Sequence, residues 1–133
     1  MPGVERFASG APWESSFGYS RAVRAGDFVV VAGTTSIDED GVVLAPGDAG
    51  GQVEAALDAI EAALAGAGAR LEQVVQTRMY VTDISRCDEI GRAHGERFGA
   101  VAPVTSMVEV GALIDPRMLV EIEAVAYVGE ASA

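Results

Sequence analysis

The chain of 133 residues contains no lysine. Its nine bases are all arginine and face twenty carboxylates, a formal charge of −11. Without lysine there is no Schiff-base chemistry. A field of that sign repels nucleic-acid phosphates and anionic lipid, but leaves room for small neutral or cationic ligands and locally guided anions. A single cysteine, Cys87, excludes an internal disulfide. Together with the single histidine, His94, it falls short of the ligand count of an ordinary metal cluster, so no cofactor or metal is expected. No apolar run approaches the roughly 18 residues of a membrane span. Met1-Pro2-Gly3-Val4-Glu5-Arg6 is not a basic segment followed by an apolar core. The expectation is a cytoplasmic protein with neither nucleic-acid nor membrane partners. Aromatics make up only 6 % of the chain, so the core must be aliphatic.

What is present is a single domain, 1–133, long enough to bury a core. Val4 to Ala8 suggests a first strand, Gly10 to Glu14 a loop carrying the only tryptophan, Trp13, and Phe17 to Val23 a second strand. Phe28 to Ala32 is a continuous β-branched run, the pattern of a strand covered on both faces. Gly33-Thr34-Thr35 at its end is either a bulge or a place where a ligand meets the backbone. Asp48 is the expected N-cap of a helix whose apolar stripe is Val53, Ala56, Leu57, Ile60, Ala63, Leu64 and Ala67, closed by Gly66-Ala67-Gly68. Leu71 to Val81 is a strong strand, with Val75, Thr77, Met79 and Val81 on one face and Val74, Gln76, Arg78 and Tyr80 on the other. A capping box at Ser85 to Asp88 opens a second helix, in which Cys87, Ile90, His94 and Phe98 share a face. His94 is expected to be a semi-buried structural residue.

Near the C-terminus two apolar-alternating runs, Pro103 to Val110 and Leu119 to Tyr127, suggest an antiparallel pair joined through Asp115-Pro116-Arg117. In the second run Glu121 and Glu123 point one way, and Val120, Ile122 and Ala124 the other. Carboxylates inside a strong strand mark a wet sheet face or the wall of a site. The element order predicts an α+β fold with helices on one face of a mixed or antiparallel sheet. Oligomerisation would cover the other face.

Several segments together resemble the RidA/YjgF (L-PSP endoribonuclease) family. They are Gly18-Tyr19, Val31-Ala32-Gly33-Thr34, Asp48 with Gln52, Val74 to Asp83, Pro103 to Glu109, and Val120-Glu121-Ile122-Glu123-Ala124. The resemblance covers nearly the whole chain. It implies a chorismate-mutase-like fold: a six-stranded, mostly antiparallel sheet with two helices on one face. It also implies a homotrimer whose clefts lie between subunits, and hydrolysis of reactive enamines and imines to 2-oxoacids and ammonia. The strand acid that handles water in deaminating members falls on Glu121, and the pocket tyrosine on Tyr19. The arginine that grips the substrate carboxylate falls on Thr105, where this chain has only a hydroxyl. That exchange costs about 2–4 kcal/mol of carboxylate binding.

Two readings follow. In one, the protein is an imine or enamine deaminase, or a related small-molecule hydrolase, with Glu121 catalytic and Tyr19, Gly33, Thr34, Thr105, Ser106 and Met107 around the ligand. In the other, it is a non-catalytic ligand-binding trimer using the same cleft. A ribonuclease reading conflicts with the charge of −11 and the single histidine. Glu121 without a guanidinium nearby should have a raised pKa, and Arg21, Arg78 and Arg117 are the available partners.

Overall fold

The computed structural model describes residues 3–129; residues 1–2 and 130–133, most of the tail expected to fray, lie outside them. In chain order the elements are β1 (Val4–Phe7), α1 (Pro12–Phe17), β2 (Ala22–Ala25), β3 (Phe28–Thr34), α2 (Ala49–Gly66), β4 (Val74–Val81), α3 (Cys87–Phe98), β5 (Val104–Glu109) and β6 (Val120–Tyr127). The six strands form one sheet in the order β1-β2-β3-β6-β4-β5. Every neighbouring pair is antiparallel except β4 and β5.

The core lies between this sheet and α2. Val53, Leu57, Ile60 and Leu64 of α2 are fully buried, as are Val29, Val81, Val120 and Ile122 of the sheet. The helix begins where Asp48 accepts a hydrogen bond from the Gly51 amide at 2.9 Å, and it stops before Gly68, whose φ is +84°. Glu54, Asp58 and Glu61 form its wet side, where Arg97 of α3 reaches Asp58 at 2.7 Å and Glu61 at 3.3 Å.

The last two strands do not pair with each other. β5 runs parallel to β4 with Thr77 beside Thr105, while β6 inserts between β3 and β4. The cause is the connection: residues 110–119 are too long for a tight hairpin, whereas α3 supplies the crossover a parallel pair requires. Pro12–Phe17 is helical rather than a loop running into a strand, with proline in the first turn and Gly18 left-handed at its end. β2 therefore starts only at Ala22. In β4 a register shift between Val74 and Gln76 turns Val74 into the core and leaves Val75 exposed, the reverse of strict alternation. The second helix is preceded by a 3-10 turn in which Asp83, not Ser85, caps by accepting from the Ser85 amide. Cys87 is exposed and apart from Ile90, His94 and Phe98, which are buried.

β3 is covered on one face only. Val29 and Val31 lie under α2, while Phe28 and Val30 open on the other side, where Phe28 meets Tyr127 with ring centroids 5.2 Å apart. This open face also carries Glu121, Glu123, Arg78 and Tyr80. Tyr80 lies beside Glu121, and Arg78 beside Glu123.

One buried amide fixes where β6 begins. Gln52 of α2 has no exposure; its Nε2 donates to the Arg117 carbonyl at 2.9 Å, and its Oε1 accepts from the Leu119 amide at 2.8 Å. The helix thus grips the segment that delivers Glu121. Gln52→Met keeps the volume but leaves both backbone groups unpaired. It is expected to lower stability by about 2–4 kcal/mol, measured by urea unfolding.

Candidate active site

A cleft of about 1030 Å³ opens where β3 ends and β6 begins. Tyr19, Arg21, Gly33, Thr34 and Glu121 form its polar side. Trp13, Phe17, Leu113 and Ile114 form an apolar side, and Asp38, Glu39 and Asp40 an acidic rim. Four of the seven residues expected from the sequence therefore meet in one place. The other three lie on β5. Thr105 shares the helix-facing side with Thr77, Ser106 stands beside Arg78 on the open face, and Met107 packs against the core. Within one chain β4 separates them from Glu121.

The polar side is built around two backbone irregularities. β3 shifts register between Val31 and Thr34, so Gly33-Thr34 is a bulge, one of the two structures its sequence allows. The bulge brings Gly33 against the Glu121 carboxylate. A Cβ on Gly33 would lie 2.9 Å from Glu121 Cδ and 3.0 Å from Oε2, closer than packing permits. Glycine here lets the carboxylate lie against the backbone; a Cβ would displace it.

Arg21 is the guanidinium that enters. Its Nη1 donates to the Gly33 carbonyl at 3.1 Å and to Thr34 Oγ1 at 2.9 Å, and Thr34 Oγ1 donates in turn to the Ala32 carbonyl at 2.8 Å. The Tyr19 ring lies 5.8 Å from the guanidinium carbon, within cation–π range. Behind it Glu14, only 5 % exposed, stands 3.6 Å from Arg21 Nε. Glu14 is fixed by the Ser9 amide at 2.8 Å and by the Ser9 hydroxyl. Burial alone would raise the Glu14 pKa; the Ser9 hydrogen bonds and the Arg21 charge outweigh it and hold the group ionised below the usual range. Arg78 and Arg117 serve elsewhere. Arg78 faces Glu123 across the sheet, and Arg117 pairs with Asp115 at 2.8 Å in the connection.

Glu121 titrates above the ordinary carboxylate range. Burial is the main cause and the Glu123 charge adds to it, while Arg21 pulls the other way. Glu123 also accepts the Tyr80 hydroxyl at 2.5 Å, which fixes the position of its side chain. The cleft thus contains a carboxyl group with a raised proton affinity, beside a guanidinium already bound on one side.

Sequence reasoning missed Glu14 and the cleft role of α1. Nothing in the local pattern announces them, because a six-residue helix gives too little periodicity to detect. Trp13, expected in a loop, stands on α1 and lines the cleft. Among the described residues no three of His, Cys, Asp and Glu converge as a metal group, and no helix is long and apolar enough to cross a membrane.

The profile of the family described as Endoribonuclease L-PSP matches residues 10–128. The chain belongs to this family, the YjgF/RidA proteins. Among solved structures, a YjgF/YER057c/UK114 family member from Mycobacterium tuberculosis superposes with a TM-score of 0.85 at 54 % identity, covering 94 % of this chain and 99 % of that one. An uncharacterized protein of Streptomyces coelicolor is 44 % identical over 95 % of this chain and 93 % of its own length. The 3-aminoacrylate deaminase RutC of Acinetobacter baylyi is 33 % identical over 83 % of this chain and 86 % of its own. As a YjgF/RidA protein, the chain has the expected α+β fold, with a mixed six-stranded sheet.

Two outcomes test this geometry. Gly33→Ala is expected to displace the Glu121 carboxylate at little cost in stability, and Glu121→Asp in the same chain to remove that coupling in a double-mutant cycle. The second concerns pH. The native state holds the Glu121 proton more tightly than the unfolded chain does, so its contribution to stability is full below the ordinary value of 4.5 and is lost as pH rises through the raised native value. Glu121→Gln is therefore expected to melt above wild type at pH 7, with the gap closing as the pH is brought down towards 4.5. A gap of equal size at both pH values would contradict it.

Proposed function

We propose that this YjgF/RidA protein is a deaminase of small imines or enamines, a hydrolase working in clefts between the subunits of a homotrimer. The observation that carries the reading is Glu121, half-buried on Gly33 with its protonation pushed upward. Imine hydrolysis requires a group that takes a proton from water and returns it to nitrogen. Such a group works best with a pKa near the operating pH. As the water oxygen bonds to the imine carbon, Glu121 takes the water's proton and the C=N electron pair moves to nitrogen. The carboxyl returns that proton to nitrogen, giving a carbinolamine; it then takes the carbinolamine's O–H proton and passes it to nitrogen as the carbonyl forms and the C–N bond breaks, releasing ammonia. Similarity to a 3-aminoacrylate deaminase supports the same class of chemistry.

What one chain leaves uncovered supports assembly with further copies. Phe28, Val30 and Tyr127 on the open face are 46 %, 45 % and 41 % exposed, and the edge strand β5 shows Val104 at 68 %. An apolar face and an unpaired edge of this kind call for a partner. A second copy would bring the exposed Thr105 and Ser106 of its β5 edge towards the cleft of the first, with Met107 behind them on its own core.

The substrate differs from those held by a carboxylate-binding arginine. Thr105 offers a hydroxyl, Arg21 is engaged by Glu14, Gly33 and Thr34, and the rim is acidic. Neutral or cationic imines with an apolar side chain, seated against Trp13, Phe17 and Ile114, fit best. A nuclease reading gains nothing from a cleft rimmed by Asp38, Glu39 and Asp40 in a chain of charge −11.

The test is ammonia release, with the 2-oxoacid followed for freshly generated 2-iminopropionate and the aldehyde or ketone for bulkier, uncharged imines. Wild type is expected to turn over the uncharged imines faster. Glu121→Gln should lower kcat by about 10²–10⁴-fold, and Thr105→Arg should shift preference towards 2-iminopropionate. If small acids, amides and amines bind by calorimetry but no imine is hydrolysed faster than in buffer, the protein is the non-catalytic binding trimer.

A further inference from the structure

The chain's one imidazole is wired to the edge of the sheet. His94, on α3, is 8 % exposed and stacks on Phe98 with centroids 4.6 Å apart. Its Nε2 lies 2.8 Å from the Thr77 hydroxyl, and that hydroxyl lies 2.6 Å from the Thr105 hydroxyl. Thr77 has no exposure, whereas Thr105 is exposed on the edge strand. Three side chains from α3, β4 and β5 thus form one line from the interior to the outer strand.

Attachment of β5 does not require such a line. One step along the same register, Met79 and Met107 join the two strands by apolar contact, with Met107 packed on the core. Burying an imidazole and a hydroxyl costs free energy that an aliphatic pair would not. What the polar line adds is reversibility, because a hydroxyl both donates and accepts. With Nε2 as acceptor, Thr105 donates to Thr77 and Thr77 donates to the ring. With Nε2 protonated, each bond reverses.

We propose that His94 and Thr77 are positioning residues of a proton relay that ends at the Thr105 hydroxyl. The assignment rests on the reading above only in placing Thr105 at a neighbouring subunit's cleft. A water or ligand O–H bond breaks at Thr105, which takes that proton on Oγ1. The proton already on Thr105 passes to Thr77, and that of Thr77 passes to Nε2, where an N–H bond forms. The return path delivers one proton to the departing nitrogen, so nothing is oxidised or reduced. Burial lowers the His94 pKa, so the resting ring is neutral with Nε2 able to accept the Thr77 hydrogen bond; the same burial disfavours the imidazolium, so the proton is held only briefly and is returned along the line. Glu121 and Thr105 then face the reacting carbon from two subunits, each with its own proton store.

One arm of the test needs no substrate. Because His94 is the sole histidine, its ring nitrogens give a single set of NMR signals. Thr105→Val is expected to displace the Nε2 resonance and Thr105→Ser to leave it in place; unchanged ring signals in Thr105→Val overturn the relay. The second arm measures imine turnover. Thr77→Val is expected to lose kcat by about a hundredfold at nearly constant KM, and Thr77→Ser to keep most of it. Full kcat in Thr77→Val, with unfolding temperature and trimer size preserved, overturns the relay and leaves the deaminase standing. A wild type inert to every imine sinks the deaminase and leaves the Thr105 NMR comparison to decide the relay.

Discussion

A carboxylate lying on bare backbone is the constraint from which the rest of the site follows. Glu121 occupies the space that a side chain at Gly33 would fill. Without the β3 bulge, Gly33 would not present that space, and without the bulge Thr34 and the Gly33 carbonyl would not bind Arg21. Arg21 in turn is oriented from behind by Glu14, which α1 and Ser9 hold in place. The charges are arranged so that one carboxylate, Glu14, stays ionised while the other, Glu121, is drawn towards its protonated form. The first has hydrogen-bond donors and a guanidinium; the second has burial and a like-charged neighbour. Environment, not residue type, separates their roles.

Much of this was legible in the chain because it rests on periodicity. The α2 stripe, the alternation that sets Glu121 and Glu123 against Val120 and Ile122, and the Gly33 bulge are local patterns that burial enforces. The parallel pairing of β5 was not legible. Its own residues alternate as well in a parallel as in an antiparallel ladder, and the choice lies with α3 and the length of residues 110–119. The Val74 inversion was hidden for a related reason, since a bulge changes parity without changing composition. Arg21 was one of three candidates that nothing in the sequence could rank. Only the fold separates it from Arg78, which faces Glu123, and from Arg117, tied to Asp115.

The seven expected site residues divide into two groups that one chain keeps apart. Tyr19, Gly33, Thr34 and Glu121 line the cleft, and Thr105, Ser106 and Met107 occupy the far strand. Both groups were recognisable because the sequence motifs do not depend on which strands lie side by side. The order β1-β2-β3-β6-β4-β5 then puts β4 between them. The same order leaves an apolar face and the edge of β5 exposed.

Gln52 ties the cleft to the core in a way that bears on how the molecule fails. Loops around binding sites commonly open by themselves, well below the free energy of global unfolding. Here the segment leading into Glu121 is held by two hydrogen bonds from the middle of the main helix, to Arg117 and Leu119, inside a fully buried side chain. That segment cannot peel away while α2 stays docked. The Leu119 amide therefore belongs with the slowest-exchanging protons rather than with those of a loop. The β6 wall of the cleft is therefore expected to be lost on heating together with the core rather than before it.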